Sequence, residues 1–122
     1  ADDKYLFYID EALTKHSNLV DPNIELYFAT QPHGEIIENL GTFVANKKTN
    51  ARLKSPATSC SWVFMSAILG LQARAASQGG NAVVNIHSFY KKIEMFSEQK
   101  YECHDSKLSG VALQGTVVRL DK

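Results

Sequence analysis

The chain contains 122 residues, of which 44% are hydrophobic, and its 13 basic and 13 acidic side chains cancel to give a pI near 7.1. This length and composition predict a single globular domain, spanning residues 1–122, whose core is large enough to form without a structural metal. The balanced charge argues against nucleic acid or an anionic membrane as the partner, and no apolar run reaches the roughly 18–20 residues of a membrane span.

The first third of the chain predicts a short helix and two strands. Tyr5 to Lys15 suits a short amphipathic helix, although its aromatic start suits an extended segment equally well. The apolar residues with helical spacing are Leu6, Ile9, Ala12 and Leu13. Ile24 to Ala29 alternates with the period of a strand, and Glu35 to Asn46 predicts a longer strand with a bulge at Gly41. We expect these two strands to form a hairpin.

A polar, basic loop and a long helix are predicted next. The loop spans Asn46 to Lys54. Ser55-Pro56 is a typical helix start, because serine caps free N–H groups and proline is favoured at the first helical position, and Gly79-Gly80 is a typical C-terminal stop. Apolar residues cover most of the helix circumference from Trp62 to Leu71, so we expect a central helix that is buried on nearly all sides and belongs to the core.

The last third predicts three strands, over Asn81 to Tyr90, Gln99 to Cys103 and Ser109 to Leu120. The first of them places Val84 and Ile86 on one face. In the last, the apolar residues change parity between Leu113 and Val118, which predicts a bulge at Gly115. The order α-β-β-α-β-β-β predicts an α+β fold, with a mostly antiparallel sheet packed on one long central helix and a short N-terminal helix.

Two observations favour an exported protein. The chain begins at Ala1 without methionine, as a mature protein does after signal-peptide cleavage, although a trimmed fragment begins in the same way. Its two cysteines, Cys60 and Cys103, lack both CxxC spacing and the four ligands of a zinc site. In an oxidising compartment they would form one disulfide, and in a cytosolic protein they would be buried free thiols. We expect the disulfide and a periplasmic or secreted location.

The chain resembles two related groups of proteins over nearly its whole length. Leu40 to Val44, Gly79 to Val84 and Gly110 to Val118 follow one another as in the YbjQ-like proteins, whose fold also includes the periplasmic domain of the stress sensor RcsF. A closer similarity is to small exported bacterial proteins often labelled "excinuclease ATPase subunit". The motifs shared with these are Asn46 to Ala51, Cys60 followed by Trp62, Gly80 to Ile86, Tyr90 to Lys92 and Tyr101 to Cys103.

The nucleotide chemistry that this label suggests does not fit the residues. Such subunits need a phosphate-binding loop, GxxxxGK[ST], and none of the seven glycines is followed by Lys-Ser or Lys-Thr. The resemblance therefore implies a fold, an exported location and the pairing of Cys60 with Cys103, but no activity. Because YbjQ-like proteins tend to form rings, it also allows a homo-oligomer. RcsF has a second disulfide and a lipidated cysteine, so its stress-sensing role does not transfer.

Catalytic residues, metal ligands and cofactors are not expected. His33 and Glu35 flank a glycine and would suit a base with its orienting carboxylate, but an exposed hairpin tip explains them better. His104 and Asp105 directly follow Cys103, so these residues, with His87 as an optional further ligand, are the candidate metal site, but a disulfide would remove the cysteine sulfur. The disulfide would equally remove the thiol nucleophiles. We therefore expect that the protein is not an enzyme.

Two basic segments are candidates for partner binding. The basic loop supplies lysines, and the segment Phe89 to Lys92 places lysines beside aromatic rings, which suits an anionic or glycan partner. The candidate binding residues are Lys47, Lys48, Phe89, Tyr90, Lys91 and Lys92. The alternative is a strand end whose aromatic residues join the core while its lysines remain solvated.

The function expected from these features is that of a binding or interaction module. It would act in the bacterial periplasm on an unknown protein or envelope component, through sheet edges and the segment Phe89 to Lys92. The alternatives are a secreted effector or virulence-associated factor that acts on a host or competitor molecule, and a small hydrolase.

Overall fold

The computed structural model describes residues 2–121, so Ala1, on which the export prediction partly rests, lies outside the described residues. The strands are β1 (Asp3–Tyr8), β2 (Glu25–Phe28), β3 (Ile36–Asn50), β4 (Ala82–Ser88), β5 (Lys100–Asp105) and β6 (Leu108–Leu120). The helices are α1 (Ile9–Lys15) and α2 (Pro56–Ser77), and single 3-10 turns occur at Ser17–Leu19 and Tyr90–Lys92. Neither α-helix of the described chain has the length and hydropathy that crossing a membrane requires.

The predicted α+β class is confirmed, with a six-stranded sheet packed on α2. Strand β6 lies at the centre of this sheet. It pairs with β3 on one side and with β4 and β5 on the other, while β1 follows β5 and β2 follows β4. All pairs are antiparallel except β2 with β4, which is parallel.

The predicted hairpin between the second and third strands is wrong. β2 pairs with β4 and β3 pairs with β6, so the two strands lie on opposite sides of the β4–β6 pair. Period-two alternation identifies a strand but does not identify its partner. Residues 29–35, which connect β2 to β3, carry the chain across the end of the sheet. Asp121 N donates to Glu35 O at 2.9 Å where this connection meets the last strand.

The N-terminal segment combines both conformations that its sequence allows. Residues 3–8 form β1, which pairs with β5, and only Ile9–Lys15 is helical. Aromatic residues favour strands, and the rings of Tyr5 and Phe7 stack at 5.4 Å on the same face of β1. The short N-terminal helix is therefore confirmed, but it begins later than predicted because the aromatic residues extend the sheet.

Helix α2 begins and ends where its sequence predicts. Thr58 N donates to Ser55 Oγ at 3.2 Å, and Gly79 ends the helix with a φ of +79°. The helix packs in the core, as expected, through buried residues that include Phe64, Ile68 and Leu71. Trp62 itself is 47% exposed, and its ring lies 4.3 Å from the ring of His16.

The predicted bulge at Gly41 is confirmed, whereas the bulge at Gly115 is wrong. The β3–β6 register shifts between Asn39 and Thr42, where Gly41 has a φ of +112°. The pairing of β3 with β6 continues without a shift through Gly115. The parity change in β6 arises because this strand is covered on both faces: Val111, Leu113 and Val117 pack in the main core, while Val118 and Leu120 join a second apolar cluster.

An irregularity instead occurs in β4. Its register against β6 shifts between Val84 and His87, and Asn85 adopts a φ of +52°. The shift places Val83 and Ile86 in the main core and Val84 in the second cluster. The prediction that Val84 and Ile86 share a face is therefore wrong. Asparagine tolerates the left-handed conformation better than most residues, which explains why it can lie at this point.

The Cys60–Cys103 disulfide is present and joins the first turns of α2 to β5, with the two Cα atoms 6.0 Å apart. Both cysteines are fully buried. Beside them the Phe64 ring stacks on Tyr101 at 4.1 Å, so the bridge lies within the most aromatic part of the core. Alternation along β5 then places His104 on the opposite face from Cys103. We call this face, opposite α2, the open face of the sheet.

Candidate functional site

The two lysines of the predicted basic loop lie on opposite faces of the sheet. The prediction of a loop from Asn46 to Lys54 is wrong over its first half, because β3 continues to Asn50. Lys48 pairs with Gly110 and lies on the open face, whereas Lys47 lies on the helix face, beside Gly70 of α2. Since successive strand residues point to opposite sides, Lys47 and Lys48 cannot bind the same small group.

Lys48 and Tyr90, which come from separate predicted segments, line one cleft on the open face. The cleft has a volume of about 240 Å³. Its lining residues are Asp2, Lys48, Tyr90, His104, Ser106, Lys107, Leu108 and Gly110. We call it the Tyr90 cleft. The pairing of β6 with both β3 and β5 brings these segments together, because Gly110 is the register partner of both Lys48 and His104.

The Tyr90 ring forms one wall of the cleft. It stacks on His104 with the ring centroids 3.7 Å apart and the planes 8° apart, and Lys91 Nζ lies 5.8 Å from its centroid. The Tyr90 hydroxyl donates to Asp2 Oδ2 at 3.5 Å. Desolvation, followed by the nearby carboxylates of Asp2 and Glu102, raises the pKa of Tyr90. The phenol therefore stays protonated at neutral pH and acts as a hydrogen-bond donor.

His104 engages the two carboxylates of the site. Its Nδ1 lies 3.4 Å from Asp2 Oδ2, and its Nε2 contacts Glu102 Oε2. Lys48 and Lys107 form no salt bridge with any residue between 2 and 121. The cleft therefore has its acidic groups occupied and its lysines free to meet a ligand.

The segment Phe89 to Lys92 divides its side chains between the sheet and solvent. Phe89 packs edge-on against His87 at 6.3 Å, and Tyr90 lies in the cleft. Lys91 and Lys92 are exposed, with φ values of 53° and 63°. Two successive non-glycine residues in the left-handed region are uncommon, and strain of this kind often occurs at binding sites. Lys92 does not line the cleft.

The structure does not bring the other candidate sites together. His33 Nδ1 lies 2.7 Å from the neighbouring Gly34 O, and among the described residues His33 forms no salt bridge with Glu35. Asp105 turns to the helix face, where Ser59 and Ser109 donate hydrogen bonds to it, while His104 faces the opposite way. Across residues 2–121, no group of three His, Cys, Asp or Glu side chains is arranged to hold a metal ion.

The sequence argument missed most of the cleft. Lys107 and Gly110 were not singled out, and His104 was considered only as a metal ligand. The turn 106–107 between β5 and β6 is a polar hairpin, and recognising it would have placed Lys107 beside the strand that carries His104. The pairing of Lys48 with Gly110 depends on the β3–β6 register, for which the sequence contains no local signal.

His16, which the sequence argument also missed, makes the stability of the folded protein depend on pH. His16 is buried, and its Nε2 lies 3.2 Å from Ser61 Oγ. Burial, and to a smaller extent Lys15, lowers the pKa of His16. At this residue the unfolded chain therefore binds more protons than the folded protein does. The contribution of His16 to folding stability is fully present above about pH 6.5 and decreases as the pH falls below that value.

We accordingly expect His16→Gln to weaken the acid sensitivity of the protein. Chemical denaturation between pH 7.5 and 5 should show a smaller loss of unfolding free energy in the variant than in the wild type. His33, His87 and His104 are common to both proteins, so their contributions cancel in the comparison. Parallel pH profiles would exclude a role for His16.

Comparisons with known proteins do not assign this chain to a family. No protein-family model matches the chain, and no curated protein matches it significantly. The functional argument therefore rests on the geometry of the Tyr90 cleft and on the disulfide. The similarity to the YbjQ-like proteins stays a prediction.

Proposed function

We propose that this protein is an exported, disulfide-stabilised binding module of the bacterial periplasm, with the Tyr90 cleft as its partner-binding site. One observation carries the proposal: Lys48, Tyr90 and Lys107, from three separate segments, converge on one cleft. Free cations beside an aromatic wall are suited to recognition of an anionic or glycan group on a protein or envelope component. The Cys60–Cys103 disulfide supports an oxidising compartment, since such bonds are rare in the cytosol.

Binding is proposed in preference to catalysis because of how His104 is held. A general base needs a free nitrogen lone pair within reach of the proton that it removes. Both ring nitrogens of His104 face carboxylate oxygens, of Asp2 and Glu102. The ring therefore supports the Tyr90 wall by stacking and is not directed at a ligand.

The edge of β3 provides a second contact surface in this proposal. Within residues 2–121, this 15-residue strand pairs only with β6, so its other edge is open. The side chains of Ile37 and Val44 are 50% and 48% exposed. The Gly41 bulge and the lysines near the C-terminal end of β3 disfavour nonspecific pairing with strands of other molecules. The open edge is thus suited to contact with a larger protein partner, or with a second copy of the chain, around the cleft.

Capture from bacterial envelope extracts tests the proposal. We expect Lys48→Gln and Tyr90→Ser to weaken binding of an envelope component at least about tenfold and to lower its recovery accordingly, because losing one hydrogen bond to a charged group costs about 1.5–3 kcal/mol. Lys47→Gln is the matched control, since it removes the same charge from the adjacent residue on the opposite face. Equal recovery with all three variants would place the binding site elsewhere or show that this cleft binds nothing.

A further inference from the structure

We infer, on the basis of the proposed function, that the group recognised by the Tyr90 cleft is a phosphate. The first reason is the distribution of charge. Lys48 and Lys107 line the cleft without a salt bridge to any described residue, and Lys91 lies above the Tyr90 ring. The opposing carboxylates, of Asp2 and Glu102, are turned to His104. An anion that enters the cleft therefore meets lysines that are not held in salt bridges by any residue between 2 and 121.

The second reason is the absence of a side chain at Gly110. A Cβ at this position would lie 3.4 Å from Tyr90 Cε1 and 3.7 Å from Lys48 Cγ, so a larger side chain would protrude into the cleft between them. The backbone does not demand glycine there, because its φ lies outside the left-handed region. Glycine instead lets Tyr90 and Lys48 pack over the buried backbone, so that the lysine and the aromatic wall adjoin the same floor.

The third reason is the match of size and chemistry. A cleft of about 240 Å³ is smaller than the roughly 300–1,000 Å³ of sites for whole drug-sized ligands, so it suits the end of a larger molecule. Lysine is a common phosphate ligand and binds this group as a point charge, and two of the residues that line the cleft, Lys48 and Lys107, are lysines. The oxygens of a tetrahedral phosphate can meet Lys48, Lys107 and the Ser106 hydroxyl together.

An NMR titration of the oxidised protein at constant ionic strength tests this inference. We expect inorganic phosphate to shift the amide resonances of Ser106, Gly110 and His104, and acetate to leave them unchanged. Lys48→Gln and Lys107→Gln should each raise the apparent Kd for phosphate about tenfold. Gly110→Val should abolish the shifts while the remaining spectrum stays native, and Lys47→Gln should leave the Kd unchanged.

The source of the phosphate is distinguished by two further ligands. Glycerol phosphate should bind like inorganic phosphate if the ligand is soluble. Vesicles of phosphatidylglycerol, but not of phosphatidylcholine, should broaden the same resonances if the phosphate belongs to an anionic lipid headgroup. Either result supports a phosphate site, provided that Lys48→Gln and Lys107→Gln weaken it.

Two outcomes would overturn the inference. One is a shift of the same resonances by acetate that is as large as the shift by phosphate, and the other is a loss of binding in Lys47→Gln that equals the loss in Lys48→Gln. The experiments distinguish a failure of the phosphate inference from a failure of the proposed binding function. If phosphate causes no shift but Tyr90→Ser still loses the envelope component, the cleft binds a partner that lacks phosphate. If neither occurs, both proposals fail.

Discussion

Removal of the Cys60–Cys103 disulfide is expected to lower the Tm by about 10–15 °C. The bridge closes a loop with a sequence separation of 43 residues. In the chain-entropy model, opening such a loop costs about 4 kcal/mol of stability, because the unfolded chain regains the freedom that the bridge removes. For a domain of this size, 1 kcal/mol corresponds to roughly 3–4 °C in Tm.

The measurement requires that the disulfide be opened completely. Both cysteines are fully buried, so reductant must be applied in denaturant and the protein refolded before the thermal scan. The double variant Cys60→Ala/Cys103→Ala should melt at the lower temperature with or without reductant. Intact mass after alkylation should show two labels only when the denatured protein has been reduced. Equal Tm values for the bridged and reduced proteins would show that the bridge is not a structural element.

The features that local sequence determines were predictable. Ser55 and Gly79 bound α2 because capping depends on only a few neighbouring residues. Strands β2 to β6 were identified from alternation, and the disulfide from the presence of only two cysteines, whereas most of β1 had been assigned to the N-terminal helix. The partners of the strands were not identified, since pairing joins residues far apart in the chain. The hairpin prediction therefore failed even though both of its strands exist.

The same limit applies to the candidate site. Lys48 and Tyr90 were identified by residue type, because lysines beside aromatic rings suit anionic partners. Lys47 was grouped with Lys48 because the extent of β3 was underestimated, and only within a strand do adjacent lysines separate to opposite faces. Lys107 and Gly110 belong to the cleft through the register of β6 with two other strands. That register is a property of the whole sheet.

Gly115→Val is expected to destabilise the protein by about 3 kcal/mol, at the upper end of the usual cost of overpacking a core. The sequence predicted that glycine was needed here for a bulge, but the structure indicates close packing. A Cβ at this position would lie 2.7 Å from Val83 Cγ1, 3.3 Å from Ile86 Cγ1 and 3.5 Å from Leu71 Cδ1. All three neighbours are buried, and the first two are held in β4, so the added methyl groups force strand and helix apart.

Gly110→Val on the same strand is the matched control. Its Cβ would have no neighbour closer than 3.4 Å, and it points into the cleft of the open face. Valine also favours strand conformation and restricts the unfolded chain, so this variant should lie within about 1 kcal/mol of the wild type. Urea denaturation of the two variants measures the difference directly. If both variants lost stability equally, the close approach of β4 and α2 would not explain why residue 115 is glycine. The loss of unfolding free energy would then be a general effect of valine in β6.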